Sequence, residues 1–310
     1  MKTLTEEEVK ARLQPARVVA AIEEAFRTRY PSTLIPLRTQ MRLASGVLLI
    51  MPCYDRQGRG LGMKLVTVAD HPPTPEEKVQ GTFLILNEIT GNPTVAMSAS
   101  YLTDIRTAAA SAVATKYLAR EDVKVLGIFG TGRQARSHLL VLRSVRNFRQ
   151  FLVSGLDPGV SREFAQQMSR ELGVTVESVY SRACAAESDV LCTLTTSPTP
   201  LFDGHLIRPG THLNLVGAFQ PNTREVDSVT VLRSRVVVDT YEGAFAEAGD
   251  LIIPMTEGVI TRAHILADLH ELVSGQRVVR RGPSDITLFK SVGVALEDLA
   301  TAELAAGSAE

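Results

Sequence analysis

The chain reads as a two-domain α/β protein, and three observations predict that class. At 310 residues it exceeds the usual length of one domain. Its first third is a run of short apolar segments joined by tight-turn compositions, the pattern of an antiparallel-rich sheet. From Val123 onward short apolar strands alternate with helical periods, the pattern of a parallel sheet wound with helices. The boundaries expected are 1–115 plus 290–310 for an α+β domain and 116–289 for the parallel-sheet domain.

The elements follow in order. Thr5 and Glu8 form a capping box that opens a short helix, and a second helix runs from Pro15 to about Arg29. Strands are expected at 38–43, 47–54, 62–68, 81–87 and 94–98, separated by turn compositions at 45–46, 55–60 and 90–93. An alanine-rich helix follows over 101–119. Parallel strands are expected at 123–129, 151–154, 174–176, 190–195, 212–216 and 236–239, with a last one at 286–290. A closing helix over 294–304 returns to the first domain and ends in a frayed tail.

Composition excludes several classes. With 33 basic and 34 acidic residues the net charge is −1, which argues against nucleic acid as a partner. Cys53, Cys184 and Cys192 lie in apolar surroundings without metal-knuckle spacing, so buried free thiols in a reducing compartment are expected. The start, MKTLTEEEVKARL, has no apolar signal core, and no apolar run reaches the ~18 residues of a membrane span. A soluble, cytoplasmic protein without a membrane partner is the expectation. The six histidines include no pair at metal-binding helical spacing, so no metal site is assigned.

The strongest chemical signal is Gly130-Thr131-Gly132-Arg133-Gln134-Ala135, placed between a strand and a helix. The glycines permit a tight turn and close backbone approach, and the helix N-terminus offers N–H groups and partial positive charge to a pyrophosphate. This is a Rossmann-type dinucleotide site. Dinucleotide choice is set at the end of the second strand, where Ser154 runs into Gly155-Leu156-Asp157-Pro158 and no acid sits at the tip. Asp157 reads as a turn residue. Ser154, with Arg133 or Arg162, suits a 2′-phosphate, so NADPH is preferred over NADH.

Three cations stand out in the first domain: Arg38, Lys64 and Arg106. A lysine inside an apolar strand is costly to bury without an anion. Arginine's planar fork suits bidentate carboxylate binding, and lysine supplies a point charge. The set points to one small carboxylate substrate, against a plainer reading in which each is solvated or paired with one of the 34 acids. His71, before Pro72-Pro73, lies within loop reach of Lys64. Ser111 and Ser197 show no histidine partner in the sequence, so nucleophilic catalysis is not supported.

Over nearly its whole length the chain resembles the ornithine cyclodeaminase/mu-crystallin family. The likeness rests on Met51-Pro52, GMKLVTV, GTFLILNEITGNPTVAMSASYLTDIRTAAASAVAT, GIFGTGRQARSH, TLTTSPTPLF, HLNLVGAFQPNTREVD and KSVGVALEDLATAELA. It implies a homodimer built from a Rossmann domain and a mixed substrate and dimerisation domain. It implies that Arg38, Lys64 and Arg106, with Met51, meet the substrate. It likewise implies that Thr107, Gly130, Gly132, Gln134, Thr195, Val216 and Ser291 line the dinucleotide. Asp298 resembles a family position, and also reads as a helix-packing or ion-pair residue.

One departure narrows the reaction. Cyclodeaminases and archaeal-type alanine dehydrogenases resemble G-G-D or G-A-D after a V-G pair, whereas this chain has Gly217-Ala218-Phe219-Gln220-Pro221. Phe219 cannot hold an ammonium or move a proton. The segment, followed by Arg224-Glu225, looks more like cyclic-imine reductases acting on Δ1-pyrroline-2-carboxylate and Δ1-piperideine-2-carboxylate. The resemblance then implies hydride transfer to the C=N carbon, a carboxylate clamped by Arg38, Lys64 and Arg106, and Phe219 as an apolar wall. Lys64, or a water it holds, is the favoured proton donor, with Asp227 and Glu225 behind it. Ornithine cyclodeamination, alanine dehydrogenation or linear ketimine reduction, and NADPH binding without turnover are the alternatives.

Overall fold

The computed structural model describes residues 1–58, 60–74 and 78–307. They divide into two compact units, Met1–Ala109 with the chain from Gly293 onward, and Ala110–Val292.

The first unit begins with β1 (Lys2–Leu4), α1 (Glu6–Arg12) and α2 (Pro15–Glu24). The capping box forms as expected: Glu8 N donates to Thr5 Oγ1 at 3.3 Å and Thr5 N to Glu8 Oε2 at 2.8 Å. The expected helix to Arg29 is not uniform, because α2 widens into a π-helical turn over Ala25–Arg29. Strands β2 (Thr33–Leu34), β3 (Thr39–Leu43), β4 (Gly46–Asp55), β5 (Gly60–Ala69), β6 (Val79–Leu86) and β7 (Pro93–Ser98) follow, then α3 (Ser100–Leu118), within which the unit boundary falls. The sheet order is β1-β7-β6-β5-β4-β2, with β3 pairing β4. Every pairing from β2 to β7 is antiparallel, and only β1 adds in parallel. Strands of two and three residues carry too little periodicity to be read, which is why β1 and β2 were not expected.

The second unit contains β8 (Val125–Phe129), α4 (Arg133–Leu142), β9 (Gln150–Ser154), α5 (Pro158–Leu172), β10 (Val176–Ser178), α6 (Ser181–Glu187) and β11 (Val190–Thr193). It continues through β12 (His212–Leu215), α7 (Ser228–Leu232), β13 (Arg235–Val238), α8 (Tyr241–Glu247), α9 (Gly249–Thr256), β14 (Ile265–Asp268), α10 (Leu269–Val273) and β15 (Thr287–Lys290). All eight strands are parallel, in the order β10-β9-β8-β11-β12-β15-β13-β14. The chain winds outward from β8 to β10, then returns to place β11 on the other side of β8. Ligands of such sheets bind beyond the strand ends at this reversal. The third strand lies two residues later than expected, because α5 ends on left-handed Gly173 (φ +65°) and the chain turns before pairing. Leu251, Leu288, Leu213 and Val238 fill the core between the sheet and its helices.

The last helix, α11 (Ala295–Ala306), belongs to the first unit and stops at left-handed Gly307. Arg29 pins it, bonding Glu303 at 2.6 Å and Asp55 of β4 at 3.0 Å. Ser308 to Glu310 of the expected frayed tail lie outside the described residues, as does Arg59 in the expected turn at 55–60.

Candidate active site

Residues directly opposite each other in a sheet share a face. Lys64 on β5 stands opposite Met51 on β4 and Phe83 on β6, and the row continues through Met97 on β7 to Leu4 on β1. The other four members are apolar and none is more than 3% exposed. Lys64, at 1%, is a cation set into an apolar stripe. Its anion comes from α11: Lys64 Nζ lies 2.7 Å from Asp298 Oδ1. Arg106, projecting from α3, meets the same acid, with Nε 2.9 Å from Asp298 Oδ1 and Nη1 2.6 Å from Glu297 Oε2. Both acids lie in the first turn of α11, where negative charge complements the helix dipole.

Arg38, half-buried just before β3, donates Nη2 to Gly293 O at 2.9 Å. Gly293 has φ +81°, and a Cβ there would lie 2.5 Å from Arg106 Nη1, so backbone and packing both demand glycine. Three cations therefore face two carboxylates, an excess of one positive charge that fits one substrate carboxylate. Burial, then the charge of Arg106, push the Lys64 pKa down to about 8 against the pull of Asp298. Lys64 is thus an ammonium at neutral pH that gives up its proton more readily than an exposed lysine. Asp298 Oδ2 is buried and accepts no hydrogen bond among the described residues. The sequence marked the cations. Their acids were signalled more weakly, as the Glu297-Asp298 pair inside an otherwise apolar Val-Ala-Leu-rich segment.

In the second unit Gly130 has φ +118° and donates its N–H to Ser154 O at 2.8 Å; a Cβ would come 2.8 Å from Leu194 O. Gly132 N-caps the ten-residue α4, and a Cβ there would meet nothing within 4 Å. Beside the β8–β11 reversal, the loop leaves space for a phosphate against a helix N-terminus. Thr131, Arg133 and Gln134 are half-buried around it. These residues fit a dinucleotide pyrophosphate.

Asp157 is the N-cap of α5, accepting from Gly159 N at 2.6 Å and Val160 N at 3.0 Å, bonds that hold its carboxyl below the usual range. Ser154 is only 3% exposed, whereas Leu156 and Arg162, which follow β9 in the chain, are exposed. Thr195, Val216 and Ser291 follow the carboxyl ends of β11, β12 and β15. Thr195 and Val216 are half-buried, while Ser291, at 1% exposure, bonds Asp239 Oδ2 at 3.1 Å. Phe219 is half-buried against the core of this unit. Thr107, in the first unit, bonds the carbonyl of Thr103 one turn earlier in α3 at 2.7 Å.

Other candidates take different places. Asp227 N-caps α7 and also accepts from Gly204 N, at 2.8 and 2.9 Å, so it is a structural cap rather than a proton donor. Glu225 is buried under five hydrogen bonds, which removes it from that role too. Ser111 does have a histidine partner, His138 Nε2 at 2.9 Å, whose Nδ1 lies 2.9 Å from Gln134 O. Both side chains are fully buried and burial pushes His138 down to about 4, so the pair is an interior hydrogen bond. His71 is exposed in a loop whose residues 75–77 lie outside the described set. All three cysteines are free and buried, and burial pushes each thiol up, which makes them inert. Among the described residues, no group of three or more His, Cys, Asp or Glu is arranged to hold a metal, and no helix is long and apolar enough to cross a membrane.

Against known proteins, the profile of the ornithine cyclodeaminase/mu-crystallin family matches residues 1–310. A Δ1-pyrroline-2-carboxylate reductase of Bacillus cereus is 36% identical over 277 residues, covering 87% of this chain and 85% of that protein. The structure of the Thermococcus litoralis Δ1-pyrroline-2-carboxylate reductase with NADH and L-proline superposes with a TM-score of 0.94 at 39% identity, covering 100% of this chain and 97% of that one. An archaeal alanine dehydrogenase dimer with bound NAD gives 0.91 at 30% identity, covering 100% and 96%.

Proposed function

The chain belongs to the ornithine cyclodeaminase/mu-crystallin family, and from that premise we propose that it reduces cyclic imino acids with a reduced nicotinamide dinucleotide. The substrates are Δ1-pyrroline-2-carboxylate, giving L-proline, and Δ1-piperideine-2-carboxylate, giving L-pipecolate. The observation that carries this reading is the buried cluster of Lys64, Arg106 and Arg38 over Glu297 and Asp298, with room in its charge balance for one carboxylate. Relatives that reduce Δ1-pyrroline-2-carboxylate support the same class.

The cofactor, when bound, supplies the hydride that the imine carbon receives. Arg38, Lys64 and Arg106 hold the carboxylate, and orientation of this kind lowers a barrier by several kcal/mol. Lys64 Nζ supplies the proton that the imine nitrogen takes up, so that C=N becomes CH–NH and the charge balances. The acceptor Asp298 Oδ1 keeps that ammonium aimed and charged. Phe219 stands where cyclodeaminases carry an acid, so cyclodeamination lacks its acid at that position.

For the cofactor, the tip of β9 without an acid and the exposed Arg162 favour NADPH, with NADH as the alternative that the Thermococcus relative binds. A second copy of the chain is the partner: β3 is exposed along its length, Met41 and Leu43 within it and Leu34 and Leu37 before it being exposed apolar residues. Three buried free thiols fit a cytoplasmic enzyme. The test is product formation: purified protein with NADPH or NADH and either imine must yield L-proline or L-pipecolate. Failure with both imines and both nucleotides refutes the reading.

A further inference from the structure

Glu225 carries more polar contacts than any role assigned above explains. Its carboxylate is fully buried. Oε1 accepts from Thr195 N and Thr195 Oγ1, both at 2.7 Å. Oε2 accepts from Thr193 Oγ1 and Gly217 N at 2.8 Å and from Ala218 N at 3.3 Å. The backbone N–H groups of Glu225 and Val226 donate in turn to Asp250 Oδ1 at 2.7 and 3.2 Å. Lys290, the last residue of β15, donates to Asp250 Oδ2 at 2.8 Å and to the carbonyl of Ala218.

Two carboxylates and one ammonium, each at 0% exposure, thus tie together the segments that leave β11, β12 and β15. These strands are neighbours, and their carboxyl ends share the edge of the sheet with the glycine loop that follows β8. The segments are pressed close: a Cβ on Gly217 would lie 2.1 Å from Thr195 O and 2.6 Å from Glu225 Oε1. Buried ionic clusters are weak sources of stability, since apolar residues of similar volume often serve as well or better. What an anion with five donors does provide is fixed orientation, because every donor must keep pointing at it.

In a doubly wound sheet each half of a dinucleotide lies over its own set of strands, with the pyrophosphate at the glycine loop between them. Strands β8, β9 and β10 form one set, and β11 and β12 begin the other. We infer that Glu225 is a positioning residue for the nicotinamide half of the cofactor: its carboxylate sets the peptide orientations at Thr195 and at Gly217 and Ala218, the segments over which that half lies. This inference rests on the dinucleotide reading, but not on the identity of the imine.

Glu225→Gln places an NH2 group against donors that need an acceptor, leaving some of them buried and unsatisfied. The experiment compares binding of NADH and of ADP-ribose, which lacks the nicotinamide ring, by titration calorimetry. Glu225→Gln is expected to weaken NADH by roughly tenfold or more while leaving ADP-ribose within about twofold of the parent protein. Thr193→Val removes one donor at nearly constant volume, so it shifts NADH affinity the same way by less, and it carries the test if Glu225→Gln does not fold. Equal weakening of both ligands would overturn the inference, because Glu225 would then merely support the whole unit. Unchanged NADH affinity in the folded variants would overturn it as well. Parent protein that binds NADH but reduces no imine leaves the inference standing and refutes only the substrate; parent protein that binds neither nucleotide refutes the dinucleotide reading from which it starts.

Discussion

Replacing Lys64 with methionine removes one charge at nearly constant volume from a row that is otherwise apolar. Two separable losses follow. Asp298 loses the ammonium at 2.7 Å, although Arg106 Nε remains 2.9 Å from the same oxygen. Breaking a buried pair costs about 3–5 kcal/mol when the remaining charge has no other partner, so the retained arginine puts Lys64→Met at the low end, about 3 kcal/mol. The second loss is to the substrate: without Lys64 two cations face two acids, and no surplus charge remains for a carboxylate. A unit charge pair about 4 Å apart is worth about 4 kcal/mol at an effective dielectric of 20, or roughly a thousandfold in kcat/KM. Asp298→Asn in the Lys64→Met background separates the charge balance from the proton that Lys64 donates. The double variant has two cations against one acid, which restores the surplus of one positive charge. It should therefore regain most of the stability in urea unfolding and a KM for the imine near the parental value, while kcat stays low because the proton donor is missing. A stable double variant whose KM for the imine stays as high as that of Lys64→Met would refute the charge argument, and one with near-parental kcat would remove Lys64 from the mechanism.

Three further outcomes are expected. Lys64 has its pKa lowered from 10.5 to about 8, so its ammonium is present below that pH and lost above it; kcat/KM for the imine should fall about tenfold per pH unit on the alkaline side. A bound carboxylate favours the ammonium, so the break in kcat should lie at higher pH than the break in kcat/KM, and coincident profiles would argue against Lys64 as the carboxylate partner. Phe219→Asp should depress imine reduction and introduce measurable ammonia release from ornithine; no gain of that activity would reject the assignment of this position. Arg162→Ala should raise KM for NADPH more than for NADH, and equal effects would refute its contact with a 2′-phosphate.

Much of the second unit is legible because buried parallel strands are written as unbroken apolar runs, VLGIF and FLV among them, and because the glycine loop has both a positional and a steric reason to exist. In the first unit Lys64 is visible as a lone cation in GMKLVTV. Its partner is not, since Asp298 lies 234 residues away and reaches it only because the chain returns in α11. The same limit hides Glu225 and His138. A sequence shows the types of these residues, but their role depends on segments that meet through tertiary packing, as Thr193, Thr195 and Gly217 do around one carboxylate. The end of β9 illustrates a subtler gap: the residue type at Ser154 suits a phosphate, but its position as the last, buried residue of the strand withdraws the hydroxyl.

The most direct test of the account is to follow nucleotide oxidation by the purified protein with Δ1-pyrroline-2-carboxylate, beside ammonia release from ornithine with NAD. Rapid oxidation with the imine and no ammonia from ornithine is the expected result. Ammonia from ornithine with a silent imine assay would contradict it, and would mean that an acid other than one at position 219 performs cyclodeamination.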